Sequence, residues 1–219
     1  EESDWSSDVC SSDLPHDVDV ATDATLDEVD SVFPETREIG GRSRKFGIVQ
    51  VKGPRGTWVD VAMMRREGPH HQYGDEYDVE YTHDILEDLA ERDLTINSMA
   101  IDHDGKLHDP HGGVQDLVEG TVRFVGDPVS HADDDPFRML RALRFAAQLG
   151  FDLAPDTKAA IRASGRLLLD ADPDRVAKEM VKAEALPEEQ RQEFGRLLWE
   201  TGLGRFALKV AEKGRKDEH

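Results

Sequence analysis

Three aspartates and a row of arginines carry the chemistry this sequence offers. Asp17 and Asp19 stand one residue apart in "PHDVDVATDAT", and Asp60 sits in "WVDVAM". In a strand, alternate side chains share a face, so Asp17 and Asp19 point the same way. Two carboxylates on one face repel unless something positive lies between them. Mg²⁺, which takes a few carboxylate oxygens together with substrate phosphates, is the natural partner. A third acid from a neighbouring strand, Asp60, completes a set suited to two-metal phosphoryl or nucleotidyl transfer, in which the metals clamp the attacking and leaving oxygens. The plain alternative is a pair of acids on the solvent face of an edge strand.

A second set reads as nucleotide-binding. "DDPFRMLRALRF" contains Asp135, Arg138, Arg141 and Arg144, and on a helix three-residue steps put successive members on adjoining positions of one face. An Asp followed three residues later by an Arg offers an acceptor beside a forked donor. Asp135 would accept from an exocyclic amine, and Arg138 would donate to the ring acceptor next to it. Cytosine and adenine present that pattern, whereas uracil and guanine do not. Arg141 and Arg144 would then be free for phosphates. "ERDLTINSMA" adds Arg92, Asp93 and Asn97. The acid and the amide suit a ribose hydroxyl, and Arg92 suits a triphosphate. The structural alternatives are an exposed, salt-bridged helix face for the first segment and a capped helix end for the second.

The elements needed to hold these residues are legible in outline. "DVDVAT" alternates as a strand. Thr25 to Phe33 has Leu26, Val29 and Val32 at helical spacing, with Thr25 as N-cap and Glu28 three residues later. Strands Gly47–Lys52 and Thr57–Met63 form a hairpin about "GPRG", and Arg66–Thr82 reads as a mobile loop. "ILEDLAERDLTINSMAID" begins helical and turns strand-like near Ile96–Ile101, and "HDGKLHDPHGGVQDL" is turn-rich. From Asp133 the chain is helical: one helix runs to Gly150, a natural stop, and three more segments each open on Pro or an acidic cap. The spacing therefore predicts a mixed α/β sheet domain with flanking helices followed by an all-helical part.

Composition narrows the classes. With 219 residues the chain is long enough for one ordinary domain or two small ones. A formal net charge of -20 argues against a basic surface that wraps nucleic acid, while leaving room for a local basic groove. The single cysteine, Cys10, has no partner for an internal disulfide, which fits a reducing compartment. No apolar run approaches a membrane span, and no signal peptide opens the chain. The expectation is a cytoplasmic protein with no membrane partner. His70, His71, His108 and His111 read as loop histidines, because nothing nearby completes a tetrahedral metal site.

Taken together, the ordered segments resemble the class II tRNA nucleotidyltransferase (CCA-adding enzyme) and bacterial poly(A) polymerase family. "DVDVAT" resembles its D-x-D strand, and "VDVAMMRRE" the strand with the third carboxylate. "EDLAERDLTINSMAID" is similar to R-R-D-x-x-x-N-A. "HDPHGGVQDLVEGTVRFVG" is similar to the D-P-x-x-G-x-x-D-L segment, "DDPFRMLRALRFAAQLGF" to E-D-x-x-R, and "PDRVAKEM" to the next helical motif. The resemblance implies a polymerase-beta-like nucleotidyltransferase head followed by an all-helical neck and body. It implies two Mg²⁺ ions on Asp17 and Asp19 with Asp60 assisting, ribose and triphosphate on Arg92, Asp93 and Asn97, and base reading by Asp135 and Arg138 with Arg141 and Arg144 in support. It further implies CTP and ATP as substrates, the tRNA 3′ end as partner, and release of pyrophosphate.

The departures are specific. The family's Gly-Gly phosphate-cradling turn is replaced by "SDWSSDVCSSDL", Glu91 stands for the first Arg of R-R-D, and Asp134 for the Glu of E-D-x-x-R. Residues 1–14 therefore read as a non-family head, either sequence read-through or a disordered tail. The nucleotidyltransferase head would span 15–125, the base-reading neck 126–185, and the start of a truncated body 186–219. The chain is expected to lack the phosphate cradle and to turn over little by itself. A poly(A) polymerase of the same family, a non-catalytic nucleotide- or RNA-binding relic, and an acidic metal-binding module are the rival readings.

Overall fold

The computed structural model describes residues 18–39, 43–53, 56–66 and 80–217, the side chains of 211–217 excepted. Asp17, Cys10, His70, His71, the tip of the "GPRG" turn and nearly all of the expected loop after Arg66 lie outside these described residues. The chain forms two compact units, residues 1–91 and 92–219.

The first unit is built on strands β1 (Asp19–Thr22), β2 (Thr36–Arg37), β3 (Ile48–Lys52) and β4 (Trp58–Met63). They lie in the order β1-β4-β3-β2, with β1 parallel to β4 and the other pairs antiparallel. Helix α1 (Leu26–Val32) starts at the expected capping box, in which Thr25 and Glu28 satisfy each other's backbone N–H groups. Its Val29 packs with Val49, Val51 and Val61 on one face of the sheet. Strands β5 (Arg65–Arg66) and β6 (Glu80–Tyr81) pair antiparallel, and α2 (Ile85–Ala90) follows, capped by Asp84.

The second unit opens with a 3-10 turn, Thr95–Asn97, then the small hairpin β7 (Ala100–Ile101) and β8 (Leu107–His108), helix α3 (Gly113–Glu119) and strand β9 (Thr121–Val122). Helices α4 (Pro128–Asp134) and α5 (Phe137–Leu149) lead through β10 (Asp152–Leu153), parallel to β9, into α6 (Pro155–Ser164) and a 3-10 segment, Gly165–Asp170. Helices α7 (Pro173–Glu184), α8 (Glu188–Thr201) and α9 (Gly204–Asp217) complete it.

Three expectations for this region are corrected. Residues 95–97 form a 3-10 turn rather than the start of a strand. The turn-rich stretch contains α3, because the Asp109 carboxylate caps the Gly113 and Val114 amides and lets a helix start there. The helix expected from Asp133 onward is two helices, α4 and α5, with the break at Asp135–Pro136. A residue before proline is pushed out of the α region, and Asp135 is extended at φ -139°, ψ 100°. The two compact units divide at residue 91. Leu94, Ile96, Val122 and Phe124 pack into the same core as Met139, Leu140 and Leu143 of α5.

Candidate active site

In the first unit the carboxylates come together through strand register. Asp19 on β1 lies beside Asp60 on β4, Asp60 beside Gln50 on β3, and Gln50 beside Arg37 on β2. These four residues form a polar row on the face of the sheet opposite the valines under α1. Asp60 is only 6 % exposed. The Gln50 side-chain amide donates to Asp60 Oδ1 at 2.6 Å and accepts from Arg37 Nε at 2.7 Å. Arg37 in turn lies over the Trp58 ring at 4.1 Å. The orientation of the Gln50 amide is thus set from both sides, and with it the pose of the Asp60 carboxylate.

Asp60 Oδ2 is buried and has no hydrogen-bond partner. An orphaned, buried carboxylate oxygen beside a second carboxylate is the donor set of a hard divalent cation. Asp19 and Asp60 therefore fit Mg²⁺. No cluster of three metal-ligating side chains occurs among the described residues, and the third acid of the expected set, Asp17, lies outside them.

In the second unit the expected ribose residues do meet. Asp93 accepts from Asn97 Nδ2 at 3.3 Å and from its neighbour's amide, Leu94 N, at 2.9 Å. Arg141 on α5 donates to Asp93 Oδ2 at 2.6 Å. Burial pushes the Asp93 carboxyl up, but Arg141 and the Asn97 amide outweigh it and hold the group below its ordinary value. Arg92, one residue upstream, is half-buried.

Helix α3 braces this turn from behind. Its buried Asp116 accepts from Thr95 Oγ1 at 2.6 Å and pairs with Arg123 at 3.1 Å. Gly113 packs so closely that a Cβ there would stand 2.2 Å from the Thr95 carbonyl oxygen. The D-P-x-x-G-x-x-D-L segment thus supplies the cap (Asp109), the close approach (Gly113) and the tether (Asp116) that fix Asp93–Asn97.

The arginine row is dispersed among different partners. Asp135 is not on the helix with Arg138, as the spacing implied, but in the extended link before it. There it accepts from the Phe137 amide at 3.1 Å and from Arg175 of α7 at 3.1 Å. Arg175 also lies 3.8 Å over the Phe137 ring. Arg138 Nη1 meets His131 Nδ1 at 3.0 Å. Arg144 is not open to phosphates: it is 2 % exposed, bonded to Glu179 of α7 at 3.0 Å and to Gln148 at 2.9 Å.

Of the histidines discounted from the sequence, His108 bonds Asp102 at 2.9 Å, and His111 Nε2 is buried without a partner. Sequence reasoning overlooked Gln50, Asp116, His131, Arg175 and Glu179. Asp116, Arg175 and Glu179 lie inside segments already singled out. Gln50 and His131 had no signal, because their partners are fixed by strand register and by a helix break.

A sequence model described as "Poly A polymerase head domain" matches residues 5–123, and one described as "Probable RNA and SrmB- binding site of polymerase A" matches residues 150–213. The chain is 38% identical over 205 residues to the CCA-adding enzyme of Geobacillus thermodenitrificans (strain NG80-2), which takes in 90% of this chain and 48% of that enzyme. It resembles the crystal structure of the Bacillus stearothermophilus CCA-adding enzyme in complex with CTP, at 35% identity and a TM-score of 0.75, over 85% of this chain and 44% of that one. It also resembles a tRNA nucleotidyltransferase complexed with a primer tRNA and an incoming ATP analog, at 28% identity and a TM-score of 0.70, over 90% of this chain and 55% of that one. The chain spans about half the length of the curated relatives it matches. The head match begins at residue 5, ahead of Pro15, where the family pattern was expected to start. The expected mixed-sheet head of the polymerase-beta-like type, followed by a helical part, is the fold found. With more than half of its residues inside the head-domain match, the chain belongs to the poly(A) polymerase head-domain family of nucleotidyltransferases.

Proposed function

We propose that this chain is the head, neck and beginning of the body of a template-independent nucleotidyltransferase that adds C and/or A to tRNA 3′ ends from CTP and ATP. The observation that carries the chemistry is the register of Asp19 with Asp60, whose buried Oδ2 has no partner. Asp17 and Asp19, with Asp60, would hold two Mg²⁺ ions, which would offset phosphate charge and clamp the attacking and leaving oxygens. The chain's own groups do the rest. Gln50 holds Asp60 in one pose. Arg92, Asp93 and Asn97 take the ribose and triphosphate, and Arg141 keeps Asp93 ionised and in place. Asp135 accepts from the exocyclic amine of C or A, while Arg138 donates to the adjacent ring acceptor. Arg144 supports the site indirectly, by tying α5 to α7. The RNA 3′-hydroxyl then attacks the α-phosphate, and pyrophosphate leaves.

The head is assigned to 15–125, the neck to 126–185 and the body to the residues after 185. The printed names of the relatives, CCA-adding enzymes and a tRNA nucleotidyltransferase with primer tRNA, support tRNA as acceptor. The name of the matching head domain keeps one second reading, a poly(A) polymerase.

The test is to incubate the chain with Mg²⁺, labelled CTP or ATP, and tRNAs ending before the first C, before the second C or before A. Incorporation that disappears in Asp19→Ala and Asp60→Ala is expected of this chain with a Gly-Gly-bearing N-terminus supplied, and the chain without it is expected to turn over little. Failure of both to incorporate either nucleotide overturns the reading. Extension by A alone, on any RNA end, selects the poly(A) polymerase.

A further inference from the structure

Arg138 carries base selection in the reading above, and what fixes Arg138 is a residue seven positions earlier. His131 sits in the last turn of α4, whose start is set by the Asp127 cap and by Pro128. Because the helix breaks at Asp135–Pro136, α5 begins afresh at Phe137. Its first turn then sets Arg138 against His131: Arg138 Nη1 is 3.0 Å from His131 Nδ1 and 3.4 Å from the His131 carbonyl oxygen.

The chemistry of this contact allows one assignment. A guanidinium has donors and no acceptor, and it stays protonated in proteins. His131 Nδ1 must therefore offer its lone pair, which places the imidazole proton on Nε2. His131 is 8 % exposed and its ring tilts against Phe124 at 5.5 Å, and its other nitrogen is left to the Asp93 backbone. The fold thus presents Nδ1 to Arg138.

We propose that His131 is a positioning residue for base selection, its Nδ1 and its backbone carbonyl together fixing the plane of the Arg138 guanidinium that discriminates C and A from U and G. The inference rests on the base-reading role of Arg138. A guanidinium held at one edge before the nucleotide arrives loses less freedom on binding, and its remaining donors keep a set direction. A ring acceptor in line with them is favoured over a ring N–H, which would meet donor with donor. Burial and the Arg138 charge keep the imidazole neutral, outweighing the opposite pull of Asp93 and Asp135, so the acceptor persists across the neutral range.

The test measures equilibrium binding of CTP, ATP, UTP and GTP, each with Mg²⁺, to the full chain and three variants, with unfolding midpoints as a control. His131→Phe keeps the ring and the Phe124 contact but removes the acceptor. His131→Asn places an amide oxygen near the lost Nδ1. Arg138→Ala removes the reader. The wild type is expected to prefer CTP and ATP, and Arg138→Ala to lose that preference. His131→Phe should lose about tenfold of it with UTP and GTP binding unchanged, and His131→Asn should retain it within about threefold.

Preference kept in His131→Phe but lost in Arg138→Ala overturns the positioning role and leaves the base-reading role standing. Preference kept in Arg138→Ala, or absent from the wild type, overturns the base-reading role and the inference with it. Should His131→Phe not fold, imidazole ¹⁵N resonances of the wild type decide. A bare, hydrogen-bonded Nδ1 and a protonated Nε2 are expected, and a protonated Nδ1 overturns the inference.

Discussion

Among the ionisable groups of the second unit displaced from their ordinary values, His131 and Asp93 mark separate pH windows. His131 is lowered from 6.5 to about 4 by burial and by Arg138. An unfolded chain takes up its proton near pH 6.5, while the folded chain resists until about pH 4. The unfolded state therefore binds more protons between these values, and stability rises with pH across that window and is flat above it. The shift corresponds to about 3 kcal/mol at its full extent. Asp93, held below 3.8 chiefly by Arg141 against its own burial, behaves in the usual carboxylate sense. Its stabilisation is complete above its ordinary pKa and is lost as pH falls through the folded value. Urea unfolding of the wild type and His131→Phe at pH 7, 5.5 and 4 checks this. The wild type is expected to lose stability progressively from pH 7 to pH 4, and His131→Phe to lose clearly less. Parallel loss in both would mean that another group carries the pH dependence.

At the scale of elements, two contacts hold the Asp93–Asn97 turn and helix α5, and each predicts its own failure. Gly113 of α3 leaves no space for a Cβ against the Thr95 carbonyl, so Gly113→Ala must shift backbone. A loss of about 1–3 kcal/mol is expected, with amide exchange quickening at Thr95–Asn97, and unchanged exchange there would deny α3 its bracing role. Arg144 and Glu179 form a buried pair between α5 and α7. Glu179→Ala removes the counter-charge of the buried Arg144 and is expected to cost about 3–5 kcal/mol, whereas the double change Arg144→Met, Glu179→Leu should recover most of it. A Glu179→Ala variant as stable as the wild type would refute this. The same elements show where sequence reading stops. The α1 capping box and the β3–β4 hairpin were legible because Thr25, Glu28 and the alternating valines are local signals. Asp19 and Asp60 could be suspected, but their adjacency is a register fact. The Asp135–Arg138 pair was placed on one helix because its spacing fits 3.6 residues per turn. Pro136 overrode that spacing, since the residue before a proline avoids helical geometry. Gln50 and His131 became visible only through partners set by strand pairing and by that break.

Among the described residues of the molecule, the two units differ in how much apolar surface they bury. The core of the second unit includes Leu140, Leu143, Phe145, Ile161, Leu168 and Leu203, all fully buried, with α5 contributing the largest share. Among the described residues of the first unit, the buried cluster is four valines, Val29, Val49, Val51 and Val61, with Ala24, Leu26 and Val59 packed against them, and Ala62, Met64 and Leu89 are buried besides. An apolar groove of about 330 Å³ runs beside α1, lined by Val20, Val32, Phe33 and Val59 among others, so the helix does not seal the sheet face. Local stability follows the density of buried apolar contacts, and small cores are marginal. The carboxylate-bearing sheet is therefore expected to open more readily than the helices of the second unit. Native-state hydrogen exchange checks this: amides of β3 and β4 should exchange at least tenfold faster than the core amides of α5. Val49→Ala should quicken exchange in β3 and β4 and leave α5 untouched, while Leu143→Ala should cost about 2–5 kcal/mol in the helical unit. Equal protection of sheet and helix, or a Val49→Ala effect that reaches α5, would show one cooperative core where the packing gives two. If the order holds, Mg²⁺ with CTP should slow exchange most in β1 and β4, because a ligand raises the opening cost of the element that binds it. No slowing in β1 and β4 would deny Asp19 and Asp60 a part in binding the triphosphate.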